Sequence, residues 1–240
     1  LELCREAGVI GTILIAEEGI NGRLAGTAAE SEAFIAAITK DSRFVDMRIQ
    51  KSSGKTRPYK NLYVKIKPWI VRFLDDKDPT VREVVEAPKL TPRELHGLIR
   101  EGRDDVVLID TRNWYETDYG TFEGAEDLKL KNFVDFPETF ESQFADQKDK
   151  QFVFFCTGGV RCEKIVPWAR ERGYSRATQL EGGITNYFKE VGGDGYDGKC
   201  FVFDHRWIID EGLTEAQMDD ANMRIQPKPL VANSEKNLPS

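Results

Sequence analysis

The sequence predicts a parallel α/β domain in the carboxyl-terminal part of the chain and a smaller α+β domain before it. From about residue 90 onward, short apolar runs alternate with amphipathic stretches, which is typical of a parallel sheet flanked by helices. The earlier part instead follows the order helix, strand, strand, helix, strand, which is typical of small α+β domains. The composition is that of a globular protein, with 40 % apolar and 31 % charged residues.

The amino-terminal domain is predicted to cover residues 1–72 and to be ferredoxin-like. Gly11–Ala16 is an apolar run rich in β-branched residues, and the Asn21-Gly22 dipeptide that follows it is a hairpin signal. Thr27 and Glu30 have the spacing of a capping box. We therefore expect a hairpin followed by a helix that begins after Thr27.

Two further strands are expected in this domain. Met47–Lys51 and Leu62–Val71 alternate between apolar and polar residues, as strands of a half-buried sheet do. Leu1 lies within a helical pattern, so we expect the domain to be truncated at its first strand. Residues 73–89 are charged and contain two prolines, which predicts a linker.

The carboxyl-terminal domain is predicted to cover residues 90–210. It begins at Thr91-Pro92, an N-cap residue followed by proline at the first helical position. Cys200–Ile209 is expected to form its last strand, and residues 211–240 a polar, flexible tail. The elements between these ends are predicted as helix Pro92–Arg100, strand Val106–Asp110, helix Glu138–Phe144, strand Gln151–Phe155, helix Arg161–Arg172, strand Ala177–Leu180 and helix Ile184–Glu190.

Hydropathy, charge and cysteine content limit the class of protein. The longest apolar runs have the length of core strands, far below the roughly 20 residues that a membrane-spanning helix needs. The net charge of −7 argues against a protein that coats nucleic acid through overall charge. The four cysteines are too few and too scattered for a disulfide scaffold, which favours a reducing, intracellular setting.

One basic segment nevertheless runs from Arg48 to Lys67 without an acidic residue. Such a segment can contact phosphates even on an acidic protein, and Tyr59 and Tyr63 within it are available to stack on bases. An ordinary solvated surface is the competing explanation of the same charges. The candidate RNA-binding residues are Arg48, Lys51, Lys55, Arg57, Lys60, Lys65 and Lys67.

The strongest chemical signal follows the predicted strand Gln151–Phe155. Glycines there allow successive amide groups to point inward, while a helix amino terminus and Arg161 add positive charge. These features favour a thiolate, so we predict that Cys156 is a nucleophilic or redox-active residue. Glu163 and Lys164 on the next helix are expected to be solvated, with substrate contact as the alternative. The active-site loop consists of Cys156, Thr157, Gly158, Gly159, Val160 and Arg161.

The remaining cysteines and the histidines give weaker signals. Cys162 is a candidate supporting residue: it is a resolving thiol, a residue that supports Cys156 without reacting, or simply a packed side chain. Cys4 and Cys200 are expected to be structural. No metal site is predicted, because the cysteines lack paired spacing and the two histidines, His96 and His205, lie far from the reactive loop in sequence. A Cys-His hydrolase would need one of these histidines at the loop, which the sequence does not indicate.

The segment that begins at Asp110 resembles the rhodanese signature D-x-R-x-x-x-E followed by G-A. Asp110, Arg112 and Glu116 occupy its charged positions. The reactive loop has the six-residue length of sulfurtransferase rhodaneses, whereas the related dual-specificity phosphatases use a longer loop. Phosphatase chemistry is therefore disfavoured. Asp110 and Arg112 are expected either to brace the loop or to form a purely structural ion pair.

Longer segments narrow this resemblance. Gly11–Gly22, Cys156–Lys164 and Cys200–Asp204 are similar to hallmark segments of the YceA/TrhO-type family, UPF0176, of tRNA uridine(34) hydroxylases. The resemblance implies a ferredoxin-like domain joined to a rhodanese domain, with the essential cysteine at Cys156. It also implies molecular oxygen as co-substrate, since characterised bacterial members convert the wobble uridine of tRNA to 5-hydroxyuridine. The residues themselves predict no cofactor.

Three functions are consistent with these features. The first is a tRNA-modifying enzyme whose amino-terminal domain binds tRNA and whose Cys156 hydroxylates uridine 34. The second is a sulfurtransferase that receives a persulfide from thiosulfate or a donor protein, and the third is a non-catalytic rhodanese module. The expected partners are tRNA and a sulfur-donor or reductant protein, with no membrane. We expect a cytoplasmic location, and an organelle stays open because the beginning of the protein is expected to be missing.

Overall fold

The amino-terminal part of the chain forms a three-stranded sheet with two helices on one face. The computed structural model describes residues 1–52, 54, 57–73 and 87–216. Strand order is β2-β1-β3, with β3 parallel to β1. Apolar side chains from both helices and all three strands form its core. The elements are α1 (Glu2–Ala7), β1 (Ile10–Ala16), β2 (Gly19–Ala25), α2 (Ala28–Ile38) and β3 (Leu62–Ile66).

The hairpin between β1 and β2 turns at Glu17 and Glu18, so the prediction of a turn at Asn21-Gly22 was wrong. Asn21 and Gly22 lie inside β2, where Gly22 is paired with Ile13. A Cβ at Gly22 would lie 3.1 Å from the Ile13 side chain. Glycine here allows close packing against β1 and does not form the turn.

The predicted start of α2 is confirmed, but one strand prediction was wrong. Glu30 donates its amide to Thr27 Oγ1 at 3.2 Å, and the Thr27 amide donates to Glu30 Oε2 at 2.6 Å. Met47–Lys51 belongs to no strand. No described strand lies beside it to pair its backbone, and Gln50 instead contacts the second domain. The strand predicted at Leu62–Val71 ends early, at Ile66.

The second domain is a five-stranded parallel sheet with strand order β4-β9-β8-β5-β7. The predicted α/β fold is confirmed, and the predicted helix and strand ends are within two residues of the observed ones. Central strand β8 is buried on both faces, because Phe152 and Phe154 belong to one core cluster and Val153 and Phe155 to the other. The sheet consists of β4 (Lys89–Leu90), β5 (Val106–Asp110), β7 (Glu126–Asp127), β8 (Gln151–Phe155) and β9 (Thr178–Leu180). Strands β6 (Gly120–Phe122) and β10 (Tyr196–Gly198) form a separate antiparallel pair. The helices are α3 (Pro92–Glu101), α4 (Trp114–Thr117), α5 (Phe136–Phe144), α6 (Cys162–Glu171) and α7 (Gly183–Glu190).

The segment predicted as one strand from Cys200 to Ile209 is instead a small hairpin. Strands β11 (Cys200–Phe201) and β12 (Ile208–Ile209) pair antiparallel. Between them, Asp204 Oδ1 accepts hydrogen bonds from the Arg206 amide at 3.0 Å and from its Nε at 2.9 Å. This local ion pair fixes a turn, which breaks the strand. Most of the predicted linker, residues 74–86, and the predicted tail from residue 217 lie outside the described residues.

The β1–β2 turn connects the two domains directly. Glu18 Oε2 lies 2.7 Å from Lys164 Nζ on α6, and the Lys164 side chain is only 6 % exposed. The other oxygen of Glu18 accepts from the amides of Ile70 and Val71. Lys164 therefore does not lie on a solvated helix surface, as was expected, because it pairs with a carboxylate from the other domain.

Candidate active site

The loop that begins at Cys156 lies at the carboxyl edge of the parallel sheet, between β8 and α6. Two of its carbonyl oxygens are held by the amino end of α7. The Cys156 carbonyl accepts from the Ile184 amide at 3.0 Å, and the Thr157 carbonyl accepts from the Thr185 amide at 3.1 Å. Because these carbonyl oxygens point toward α7, the amide groups of the loop point toward the Cys156 sulfur, as the Gly159 amide does.

Cys156 itself is in an environment that favours the thiolate. It is buried, and the Gly159 amide donates to its Sγ at 3.1 Å. Its pKa falls to about 6, chiefly because the Cys162 side chain hydrogen-bonds to it. The Arg161 charge and loop amides also lower this pKa, and together they outweigh the opposing effect of burial. At neutral pH the thiolate is therefore the main form.

Cys162 is the hydrogen-bond partner of this thiolate. Its side chain is fully buried, and its Sγ lies 3.6 Å from Thr111 Oγ1. Burial and the hydrogen bond with Cys156 raise the pKa of Cys162 well above its usual value, so it keeps its proton. A thiol beside a thiolate acts as the donor. Among the alternatives from the sequence, a supporting role beside Cys156 is the one that these pKa shifts favour.

Replacing Cys162 with alanine should raise the pKa of Cys156 above about 6, because the variant removes the hydrogen bond that lowers it most. The ionisation can be followed through the ultraviolet absorbance of the thiolate as pH increases. Cys200→Ala is a matched control, since Cys200 is another buried cysteine whose own pKa is raised to about 11. An unchanged midpoint in Cys162→Ala would contradict the assigned hydrogen bond.

Arg161, at the end of the loop, is fixed by a carboxylate that the sequence reasoning did not place in the site. Its Nη2 lies 2.8 Å from Glu116 Oε1 and 2.9 Å from Oε2, and the Glu116 side chain is fully buried. The guanidinium also lies over the ring of Phe203, 5.8 Å from its centroid. Glu116 occupies the glutamate position of the rhodanese signature D-x-R-x-x-x-E, and this match could have indicated its place in the site.

Asp110 and Arg112 form a buried ion pair behind the loop. The Arg112 Nη2–Asp110 Oδ2 distance is 2.6 Å, and neither side chain is exposed. Arg112 also donates to the Gly120 carbonyl at 2.6 Å, and Thr121 donates to Asp110 at 2.7 Å. These contacts join β5 to β6, so the geometry matches the structural alternative. Thr111 between them donates to the carbonyl of Phe155, the last residue of β8 before the loop, at 2.9 Å.

Gly183 is the position where an added side chain would damage the loop most directly. Its φ is +65°, and a Cβ would lie 2.3 Å from the Cys156 carbonyl oxygen and 2.8 Å from the amides of Gly158 and Gly159. Gly192 is a suitable comparison, since its φ is +87° but a Cβ would meet nothing within 4 Å. The two positions share backbone strain and differ in steric contact.

We expect Gly183→Ala to lower the free energy of unfolding by more than Gly192→Ala and to shift the Cys156 pKa upward. Both variants introduce a left-handed alanine, at a cost of about 1–2 kcal/mol. Only Gly183→Ala also displaces the loop amides that stabilise the thiolate. Urea unfolding and titration of the Cys156 thiolate would measure the two effects. Equal behaviour of the variants would show that the loop tolerates displacement.

The candidate RNA-binding residues divide into two groups. In the first, basic side chains lie beside acidic ones. Lys51 Nζ is 2.5 Å from Glu32, and Arg57 pairs with Glu30. Arg48 also belongs to this group, as its Nη1 lies 3.9 Å from an oxygen of Glu181.

The second group consists of exposed lysines on and around β3. Lys60, Lys65 and Lys67 are exposed and have no ion pair within the described ranges, while Lys55 lies outside the described residues. Lys65 Nζ lies 5.1 Å from the ring centroid of Tyr63, which is 41 % exposed.

The other tyrosine of the basic segment, Tyr59, is less exposed than Tyr63. It is half-buried near Asp204, and its pKa rises to about 12, chiefly because of burial. The neighbouring Pro58 carbonyl accepts from the His205 amide at 3.2 Å, so this part of the segment lies at the contact between the domains.

Two negative observations apply only to the described part of the chain. There, no group of three or more His, Cys, Asp or Glu side chains is placed to hold a metal ion. Within the same ranges, every helix is too short or too polar to cross a bilayer.

Two family models match the chain, one in each domain. The model described as UPF0176 acylphosphatase like domain matches residues 1–70. The rhodanese-like domain model matches residues 91–190, which include the whole loop from Cys156 to Arg161.

The chain is also similar to curated proteins over most of its length. A Xanthomonas oryzae pv. oryzae (strain PXO99A) protein named tRNA uridine(34) hydroxylase is 48 % identical over 208 residues, which are 85 % of this chain and 81 % of the relative. A Bordetella avium (strain 197N) protein of the same name is 42 % identical over 211 residues, 86 % of each chain. Among solved structures, a single-domain sulfurtransferase from Saccharomyces cerevisiae aligns over 45 % of this chain and 94 % of that chain, with a TM-score of 0.38 and 23 % identity.

Proposed function

Because the chain belongs to the tRNA uridine(34) hydroxylase family, we propose that it converts uridine 34 of tRNA to 5-hydroxyuridine and that Cys156 is the reacting group. The observation that carries the role of Cys156 is its hydrogen-bonded, buried thiolate, with a pKa near 6. A thiolate is a strong nucleophile at neutral pH, whereas an unperturbed cysteine is mostly protonated there.

The overall reaction requires an oxidant and a reductant. Uridine, dioxygen, two electrons and two protons give 5-hydroxyuridine and water. Dioxygen is the proposed co-substrate, and the two electrons come from a thiol or a reductant protein. The side chains at the loop supply nucleophilic and electrostatic catalysis and need no bound metal for the route described next.

In this route, the Cys156 thiolate adds to C6 of the uracil ring, which breaks the C5–C6 π bond and makes C5 nucleophilic. C5 then adds to dioxygen, and a proton completes a hydroperoxide at C5. Two electrons and two protons from the reductant cleave the O–O bond, which leaves a hydroxyl at C5 and releases water. Loss of the C5 proton and of the thiolate restores the double bond.

The loop supports both thiolate steps of this route. Its amides and Arg161 stabilise the thiolate before it adds and again after it leaves. Glu116 keeps the Arg161 guanidinium in position. Cys162 stays protonated and donates a hydrogen bond to the Cys156 sulfur. The Thr157 hydroxyl is buried and has no hydrogen-bond partner among the described residues, which leaves it available to a bound intermediate.

The proposed macromolecular partner is tRNA, contacted by the amino-terminal domain. The exposed lysines Lys60, Lys65 and Lys67 support this contact, while the acid-paired Arg48, Lys51 and Arg57 support it less strongly. The proposed location is the cytoplasm, because tRNA is matured there. No observation on the described residues favours an organelle.

The test is nucleoside mass spectrometry of tRNA from cells that lack the protein, with and without a plasmid that carries the wild-type gene. We expect 5-hydroxyuridine and nucleosides derived from it to disappear and then return with the wild-type gene. Unchanged 5-hydroxyuridine in the deletion strain would overturn the proposed function, provided that no second hydroxylase is present in that strain.

Sulfur transfer is the second candidate, and one observation favours it. The amides that stabilise the Cys156 thiolate would equally hold the outer sulfur of a persulfide. Purified protein incubated with thiosulfate and cyanide would then release thiocyanate, with Cys156 carrying the sulfur. Hydroxylation without thiocyanate formation would leave only the first function.

A further inference from the structure

The sheet of the amino-terminal domain has one face that its own helices do not cover. Cys4 of α1 and Phe34 of α2 pack on the face that contains Ile13 and Val64. Because side chains alternate along a strand, the neighbouring residues point to the opposite side. We call this side the outer face, and it contains Thr12, Leu14, Asn21, Arg23, Tyr63 and Lys65.

The outer face combines an exposed aromatic ring with positive charge. Tyr63 is 41 % exposed, and the ammonium group of Lys65 lies near its ring. Lys65 and the nearby exposed Lys67 have no acidic partner among the described residues, and the outer face contains no acidic residue. This local positive charge lies on a chain whose net charge is −7, so its partner is expected to be anionic.

The outer face also continues into the active site. Tyr63, Thr12 and Arg23 lie side by side in register across the three strands, so Tyr63 and Arg23 are about 10 Å apart. The Arg23 guanidinium lies 5.7 Å from the ring centroid of Phe203, and Arg161 lies 5.8 Å from the same centroid. A path from Tyr63 across Thr12 to Arg23 and Phe203 thus leads to Arg161 of the reactive loop.

We propose that the outer face binds unpaired nucleotides of the tRNA anticodon loop and directs uridine 34 to Cys156. Tyr63 stacks on a base close to uridine 34, and Lys65 and Lys67 contact the phosphates. Phe203, between Arg23 and Arg161, marks the point where the RNA enters the active site. The proposal rests on the proposed function and adds to it the binding surface for the substrate.

Single-stranded RNA fits this surface better than duplex RNA does. An exposed tyrosine on a sheet can stack only on a base that is not already paired, whereas duplex RNA is recognised through its backbone and shape. Stacking and cationic contacts along one groove are the usual combination at sites for unpaired nucleic acid. The anticodon loop presents such bases around uridine 34.

The test is the affinity of the full chain for a fluorescent tRNA anticodon stem-loop, measured by anisotropy. Tyr63→Ala should raise Kd roughly tenfold, because a base–aromatic stack is lost. Tyr63→Phe keeps the ring and should keep the affinity. Lys189→Ala, which removes an exposed charge at the end of α7 in the other domain, should leave Kd unchanged.

Salt dependence separates the phosphate contacts from the stacking. Lys65→Ala and Lys67→Ala should each reduce the slope of log K against log salt concentration by about 0.7, the value for one phosphate contact on a single strand. Tyr63→Ala should weaken binding with the slope unchanged. A duplex RNA of equal length should bind the wild type and Tyr63→Ala alike.

Two different outcomes distinguish the inference from the proposed function. If the wild type hydroxylates tRNA and Tyr63→Ala binds and reacts like the wild type, the outer face is not the RNA surface and the function stands. If the wild type neither binds the stem-loop nor affects 5-hydroxyuridine in cells, the proposed function itself fails. Protein partners captured by the outer face without any RNA affinity would also overturn the inference.

Discussion

Cys156→Ser should reduce the rate of tRNA hydroxylation by at least about 10³-fold while the protein remains folded, since loss of a nucleophile usually costs that much or more. Serine has nearly the same shape and can accept the same hydrogen bond from Gly159. Its hydroxyl does not ionise at neutral pH, so the anion that the loop stabilises cannot form. The measurement is 5-hydroxyuridine formed per enzyme in vitro, with purified tRNA, oxygen and a thiol reductant.

Cys4→Ala is the matched control for this prediction. Cys4 is also buried, but it lies in the core of the amino-terminal domain, away from the loop. The control should keep its activity per folded molecule even if its stability falls. Full turnover by Cys156→Ser would show that the reaction does not depend on the thiolate, and the route through C6 would then be wrong.

Asp110→Ala should lower the free energy of unfolding by about 3–5 kcal/mol, which is the usual effect of removing one partner of a buried ion pair. The variant leaves the Arg112 guanidinium without its carboxylate at a position with no solvent exposure. It also removes the hydrogen-bond acceptor of Thr121 on β6, so the contact between β5 and β6 is lost together with the ion pair. Urea unfolding followed by circular dichroism gives the free energy.

The protein contains a matched control for this change. Asp41 and Arg43 have the same spacing in sequence, and Arg43 donates through Nε and Nη2 to Asp41 just as Arg112 does to Asp110. The Arg43 pair is exposed to solvent, where such pairs contribute little to stability. Asp41→Ala should therefore hardly change the urea midpoint. Similar losses for the two variants would show that burial is not the reason for the effect.

The sequence was most informative where a local pattern fixes an element by itself. The capping box at Thr27 and the N-cap and proline at Thr91-Pro92 set the starts of two helices, because each signal is complete within four residues. The run Gln151–Phe155 was identified as a strand because four consecutive apolar residues, Phe152–Phe155, are typical of a strand that is buried on both faces. The α/β fold follows from the repetition of such segments.

Elements that depend on partners far away in sequence were harder to predict. Met47–Lys51 has the alternation of a strand but no neighbouring strand with which to pair. The Asn21-Gly22 dipeptide has turn chemistry, yet the packing of Gly22 against Ile13 determines its place in β2. The hairpin from Cys200 to Ile209 depends on the Asp204–Arg206 pair, which interrupts an otherwise strand-like run.

The candidate site also combines features that a local sequence pattern reveals with features that depend on residues distant in sequence. The loop from Cys156 to Arg161 carries its chemistry in consecutive residues, so its reactive cysteine could be predicted. Glu116 contacts Arg161 of the loop, and Thr111 contacts Cys162 just after it, only because the fold brings α4 and the end of β5 close to the loop. Phe203 lies beside Arg161 because of the later hairpin. Their roles could be recognised only after the chain was folded.

The contact between Glu18 and Lys164 makes sequence changes in one domain depend on sequence changes in the other. Lys164 follows the reactive loop by three residues and is buried with a carboxylate that the other domain supplies. A chimera that joined this rhodanese domain to an unrelated partner would remove the Glu18 carboxylate from a lysine side chain that is only 6 % exposed and close to the active site. Exchange of domains between relatives is therefore expected to preserve stability best when this glutamate and this lysine are exchanged together.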